Sequence, residues 1–230
     1  MTWHKAMLAG GLTIKLASFV LFSTSAHAHS IAAAAGVEGS KNIRSLKQIR
    51  NEGVVRQRWD MSCGAAALST LLTYDFKDNT PETAIVVWIL HRVDAGQVRA
   101  RGGFSLLDLK HFSEARGYHA EGFSGVSMED LATQRTSVIT PIRAKGFDHF
   151  VVVKGVAEGR VILADPGFGN MTMKVDRFQK LWKNGVMFVV HPPDERMITE
   201  KKVTVASRLL PDQTVISRKI GVTAPSNWLY

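Results

Sequence analysis

The sequence predicts an α+β domain, and three observations predict it. Helix-start signals recur from Asp60 to about Gln134. From Ser137 onward the chain turns to β-branched runs separated by glycine-bearing turns. One further helical stretch and one closing strand then end at Pro192 and Pro193. Helices first and a meander of strands afterwards is the order of an α+β domain, here roughly Val54 to His191.

The elements follow in chain order. Lys5 and Lys15 come with no acidic residue before Ala28, and the apolar run "LASFVLF" leads to a small-x-small pattern at Ala26 and Ala28. That is the order of a secretory signal peptide over residues 1–28. Lys15 leaves the apolar run short of the roughly 20 residues that a bilayer requires. Export would place the mature chain in the periplasm. Residues 29–46 are small and polar and read as a linker or a weak helix, and residues 47–193 as the folded domain.

Within the domain, Ser62, Cys63 and Gly64 precede the Ala/Leu-rich run "AAALSTLLTY", a helix start. In "NTPETAIVVWILHRV", Thr80 can cap a second helix, with Pro81 in its first turn. "QVRARGG" reads as a loop. Ser105 and Asp108 have capping-box spacing before a third helix that Gly117 stops, and Ser127 with Asp130 repeats that spacing before a short fourth. "SVITPIRAKG", "DHFVVVKGV" and "RVILADPG" read as successive antiparallel strands. "VDRFQKLWKNG" reads as a helix, "VMFVVHPP" as the closing strand, and residues 194–230 as a basic tail or an added hairpin.

The formal charge is +9, and removal of Lys5 with Lys15 leaves +7. Export argues against nucleic acid as the partner. Acidic polypeptides or an anionic envelope surface fit such a charge, and so does solubility alone. Cys63 is the single cysteine and cannot form an intramolecular disulfide. One cysteine is commonly a buried inert thiol. At a helix N-terminus, however, the unpaired amides and the helix dipole favour a thiolate.

A nucleophilic thiolate needs a base partner. His91 and His111 lie in helices, His119 sits in a turn, and His191 ends a strand. His149 opens the strand "HFVVVKGV", and the returning strand "RVILA" delivers Asp165. A turn centred near Ala157 sets the two roughly opposite each other. Asp165 can then hold one ring nitrogen of His149 and aim the other at a thiolate. The alternative is a purely structural His–Asp pair. Gln57, six positions before Cys63, could donate to an oxyanion together with the Cys63 amide. Trp59, the loop around Arg99 and Arg101, and Gly167 are the candidate substrate contacts, with the two arginines suited to a carboxylate-bearing segment. No second cysteine or ligand-spaced histidine pair is present to hold a metal.

Gln57, five residues, then Cys63-Gly64-Ala65-Ala66 resembles the active-site block of the C39 cysteine peptidases, papain-like domains that trim leader peptides from exported bacteriocins. "HFVVVKGV" followed by "VILADPGFG" is similar to the second block of that family, and "GGFSLLDLKHFSEARGYHA" resembles the helix between the two. The resemblance covers about Val54 to Val190. It implies a papain-like fold without a cofactor, with Cys63 as nucleophile, His149 as base, Asp165 as orienting acid and Gln57 as oxyanion donor.

Ser62 stands where the family often has an acidic residue, and the chain carries no P-loop or ATP-binding domain. The whole chain looks most like the stand-alone exported peptidase of the Fap functional-amyloid secretion system. That resemblance implies a polypeptide substrate, such as an amyloid fibre subunit or a secretion component. Two rivals stay open: a substrate-binding module without turnover, and a cysteine amidase or transferase acting on cell wall.

Overall fold

The computed structural model describes residues 45–144 and 146–199. The predicted signal peptide, nearly all of the predicted linker and residues 200–230 of the predicted tail lie outside them.

Seven α-helices and six strands are described. Helix α1 (Leu46–Asn51) opens with a capping box, in which Ser45 Oγ accepts from Gln48 N and Gln48 Oε1 accepts from Ser45 N. The sequence reading named no helix there. Helix α2 (Cys63–Thr70) runs on into a π-helical turn, Leu71–Asp75. Helix α3 (Glu82–Leu90) follows Pro81 directly, with no side-chain cap, so Thr80 does not take the capping place predicted for it. Helix α4 (Ala95–Ala100) lies where only a loop was predicted, and Asp94 caps it by accepting from Gln97 N. Its single turn-and-a-half is too short to show a hydrophobic period. Helices α5 (Leu106–Ala115) and α6 (Met128–Ala132) carry the two predicted capping boxes. Helix α7 (Val175–Leu181) is the last.

The strands are β1 (His119–Phe123), β2 (Val138–Ala144), β3 (Phe147–Ala157), β4 (Arg160–Asp165), β5 (Gly169–Lys174) and β6 (Met187–His191). They form one sheet in the order β1-β6-β2-β3-β4-β5, with every pairing antiparallel. The meander β2-β3-β4 matches the sequence reading. Strands β1 and β5 were not foreseen. Each is short and rich in glycine, polar or small residues, and each depends on an edge partner instead of its own pattern. His119 is therefore the first residue of β1, paired with His191, and not a turn residue.

Leu68, Leu71, Ile85, Leu109 and Phe112 pack with Val152, Ala164 and Phe188 in one core. Leu131, Phe178 and Trp182 pack with Val151, Val153 and Leu163 in a second. Val151, Val152 and Val153 thus alternate between two buried sides. This is why β3 reads as an unbroken apolar run instead of a half-polar alternation.

All eight residues of α2 are buried, and the small side chains of Ala65, Ala66 and Ala67 let other elements close around it. A Cβ added to Gly64 would stand 3.2 Å from Phe150 Cδ2 and 3.3 Å from Leu109 Cδ1. The missing side chain therefore sets how closely the start of α2 approaches β3, one residue from His149.

Candidate active site

Cys63 is the first residue of α2 and is 8% exposed. Ser62 precedes it without capping the helix, so the first amides of α2 carry no side-chain acceptor. Those open donors and the positive end of the helix dipole lie at the end of α2 that Cys63 opens.

His149 lies at the beginning of β3, and its Nε2 donates to Asp165 Oδ1 at 2.8 Å. The two are not cross-strand partners, as the sequence reading had them. Val153 pairs with Leu163 and Val152 with Ala164, after a bulge between Val153 and Gly155. Continued, that register sets Asp165 level with Val151, two residues from His149. The pair is a diagonal one, within reach of long side chains. The sequence reading centred the turn at Ala157, whereas the pairing of Ala157 with Arg160 centres it between Glu158 and Gly159; the bulge then shortens the resulting offset from three residues to two.

Asp165 Oδ1 also accepts from Gly167 N at 2.7 Å and Phe168 N at 3.1 Å. The Asp-Pro-Gly-Phe turn thus fixes the carboxylate through its own backbone. Arg56 reinforces the turn: Nε donates to Pro166 O at 3.1 Å, a second guanidinium nitrogen donates to Gly167 O, and Nη1 donates to Asn51 Oδ1. Gln57 N donates to Pro166 O at 3.0 Å. A Cβ on Gly167 would lie 3.3 Å from Asp165 Oδ1 and 3.8 Å from both Gln57 Oε1 and His149 Cε1, so Gly167 lies among the site residues.

Because Asp165 takes the Nε2 proton, Nδ1 is the ring nitrogen left to face Cys63. Burial opposes the imidazolium. Hydrogen bonds to Asp165 and Cys63, with the charges of both, outweigh it and raise the His149 pKa to about 9.

Gln57 Nε2 donates to Trp59 O at 3.0 Å and makes a longer contact of 3.4 Å with Asp60 O. Both amide protons of Gln57 thus face the carbonyls of Trp59 and Asp60. Gln57 Oε1 is buried without a partner.

Trp59 and Arg99 share the wall of an apolar cavity of about 360 Å³ with Met61, Val86, Leu90 and Phe104. Ser62, the neighbour of Cys63, also lines it. Arg101 is turned away from this cavity and donates to Asp108 at 2.7 Å in the cap of α5.

A family model for the peptidase C39 family matches residues 51–195. The chain belongs to the peptidase C39 family. Two relatives described as probable functional amyloid protease FapD, from Pseudomonas fluorescens and Pseudomonas aeruginosa, are each 33% identical to this C39 chain over 150 residues. Each match spans 65% of this chain and 65% of the relative. The peptidase domain of Streptococcus ComA, described as a bifunctional ABC transporter, covers 60% of this C39 chain and 97% of its own length at a TM-score of 0.51 and 20% identity. That likeness agrees with the α+β, papain-like fold of the family.

Two residues of this C39 site escaped the sequence reading. Arg56 carried no signal beyond its place next to Gln57. Glu82 is 3% exposed, and its carboxylate accepts from Arg58 N at 3.1 and 3.2 Å and from Ser62 Oγ at 2.5 Å. An acid opening the otherwise apolar run "AIVVWIL" was the available clue, but it reads equally well as a residue favoured by the helix dipole.

Proposed function

We propose that this chain is a cysteine endopeptidase that cleaves an exported polypeptide. The observation that carries the reading is the line from Cys63 through the His149 ring to an Asp165 oxygen already fixed by two backbone amides. Cys63 Sγ attacks the peptide carbonyl carbon. The resulting oxyanion meets the Cys63 amide and the side-chain amide of Gln57. His149 Nδ1 delivers its proton to the leaving amine nitrogen, and the C–N bond breaks. Water, deprotonated by His149, then hydrolyses the thioester and restores the thiolate.

The extended substrate passes Trp59, and an apolar side chain enters the cavity between Trp59 and Phe104. The fibre context of the two Pseudomonas relatives supports a substrate in functional-amyloid maturation or secretion. The pattern of residues 1–28 supports periplasmic action.

The test incubates wild-type protein and Cys63→Ala with a purified fibre subunit and with a degenerate peptide library, followed by mass spectrometry of new termini. New amide-derived termini in the wild-type reaction alone are expected. Intact polypeptide together with release of cell-wall muropeptides would overturn the reading. The mature protein from the periplasmic fraction should begin at His29, and retention of Met1 would overturn export.

A further inference from the structure

The segment that carries both oxyanion donors is tied by a side chain from another helix. Gln57 and Cys63 bound a tight loop. Inside it, Ser62 N and Gln57 Nε2 both donate to Trp59 O, at 3.1 and 3.0 Å, and Trp59 N donates to Ser62 Oγ at 3.2 Å. These bonds close the loop on itself but do not place it in the protein. Glu82, from the first turn of α3, does so at both ends. It accepts from the amide of Arg58, the residue after Gln57, and from the hydroxyl of Ser62, the residue before Cys63. Ser62 Oγ also lies 2.8 Å from Trp59 O, but that carbonyl already accepts from two N–H groups and the carboxylate is both nearer, at 2.5 Å, and charged, so the Ser62 hydroxyl proton goes to Glu82. A short O–H···O bond to a carboxylate is among the stronger neutral-to-charged contacts.

Glu82 itself is buried, and its described hydrogen bonds go to this loop alone. A buried carboxylate is costly unless its acceptors are filled. Its place at the front of α3, with an apolar helix behind it, serves no other described contact of the site.

We infer that Glu82 is a positioning residue of the oxyanion hole: it sets the separation and direction of the Gln57 and Cys63 donors by holding Arg58 and Ser62. The inference rests on the peptidase reading above. Glu82 touches neither substrate nor reacting atoms. Its removal leaves the thiolate and His149 in place and loosens the two donors. A misplacement of about 1 Å is sufficient for a loss near 10²-fold.

The experiment compares wild type, Glu82→Ala, Glu82→Gln and Ser62→Ala in the full chain, each checked for folding by circular dichroism. Three quantities are read: kcat and KM on the best-cleaved library peptide, inhibition by an aldehyde made on that peptide, and the rate of Cys63 alkylation by iodoacetamide. The aldehyde forms a C–S bond with Cys63 and takes a proton to become a hemithioacetal whose oxygen uses the oxyanion donors. Alkylation displaces iodide at carbon and makes no oxyanion.

Glu82→Ala is expected to lower kcat by about 10²-fold with KM nearly unchanged, and to weaken aldehyde binding by a similar factor. Alkylation should stay within about threefold of wild type, since the thiolate is undisturbed. Glu82→Gln keeps an acceptor for Arg58 N and should recover part of the loss, and Ser62→Ala should lose less than Glu82→Ala. Wild-type kcat and aldehyde binding in Glu82→Ala would overturn the inference and leave the peptidase reading standing. Equal loss of turnover and alkylation would assign Glu82 to general folding and overturn it likewise. Wild-type protein that cleaves no peptide and binds no aldehyde would overturn the peptidase reading, and the inference with it.

Discussion

A single oxygen of Asp165 receives His149 Nε2 at 2.8 Å and the amides of Gly167 and Phe168 at 2.7 and 3.1 Å. Three donors converge on Oδ1, and this decides how the site responds to substitution.

Asparagine at position 165 can present its own carbonyl oxygen to all three donors. Asp165→Asn therefore keeps the His149 tautomer and loses only the negative charge. In a serine triad the same change costs about 10⁴ because it imposes the wrong tautomer. Here a loss of about tenfold or less is expected, with the larger part at alkaline pH. Asp165→Ala releases both the turn and the ring and should lose about 10²-fold or more. Steady-state kcat/KM on one peptide across pH separates the two. Equal losses for Asn and Ala would show that charge, not the acceptor geometry, is what matters.

The pH dependence follows from His149. Its pKa is raised to about 9 by Asp165 and Cys63 in spite of burial. The leaving amine needs the imidazolium proton, so kcat/KM should fall with an alkaline limb near pH 9 in wild type, and at lower pH in Asp165→Asn. A folded-state pKa above the unfolded value of about 6.5 stabilises the fold fully below pH 6.5, and this contribution is lost as pH rises to about 9. Thermal unfolding at pH 6 and pH 9.5 should show a wild-type decline of up to a few kcal/mol that His149→Gln lacks.

Gly64→Ala tests the approach of α2 to β3. The new Cβ would meet Phe150 and Leu109 at 3.2 and 3.3 Å. Overpacking costs about 1–3 kcal/mol, and better helix propensity returns about 1 kcal/mol. A modest loss of stability is expected, with a loss of turnover of at least about tenfold from displaced reacting groups. Calorimetry and single-turnover rates on the same preparation check both.

Arg101→Ala should leave KM unchanged, because that guanidinium closes on Asp108 in the cap of α5. Loss of this partly exposed pair should cost no more than about 1 kcal/mol. Arg99→Ala, on the cavity wall beside Trp59, should instead raise KM with kcat held. A KM change in Arg101→Ala and none in Arg99→Ala would exchange their assignments.

Much of this site was legible in the chain because its signals are local. Cys63 stands before an alanine run, and His149 and Asp165 sit at the ends of two strands joined by a glycine turn. The capping boxes at Ser105 and Ser127 likewise lie within four residues. What escaped depends on partners far along the chain. Strand β1 exists because β6 lies beside it, and β5 because the turn after Asp165 returns it to β4. The β3-β4 hairpin turns between Glu158 and Gly159 and carries a bulge in β3, and together these set Asp165 level with Val151, two residues from His149; neither is written in the local pattern. Glu82 and Arg56 reach across 20 and 110 residues to their carbonyl, amide or hydroxyl partners, which no periodicity encodes.

The central claim is that the Cys63 thiol forms an acyl-enzyme on a polypeptide. Rapid-quench mass spectrometry of the intact protein, mixed with the best-cleaved library peptide, tests it most directly. The account predicts a transient mass gain equal to the N-terminal fragment of the peptide, mapped to Cys63, decaying as product appears and absent in Cys63→Ala. Product formation that persists in Cys63→Ala, or turnover with the adduct on another residue, would contradict it.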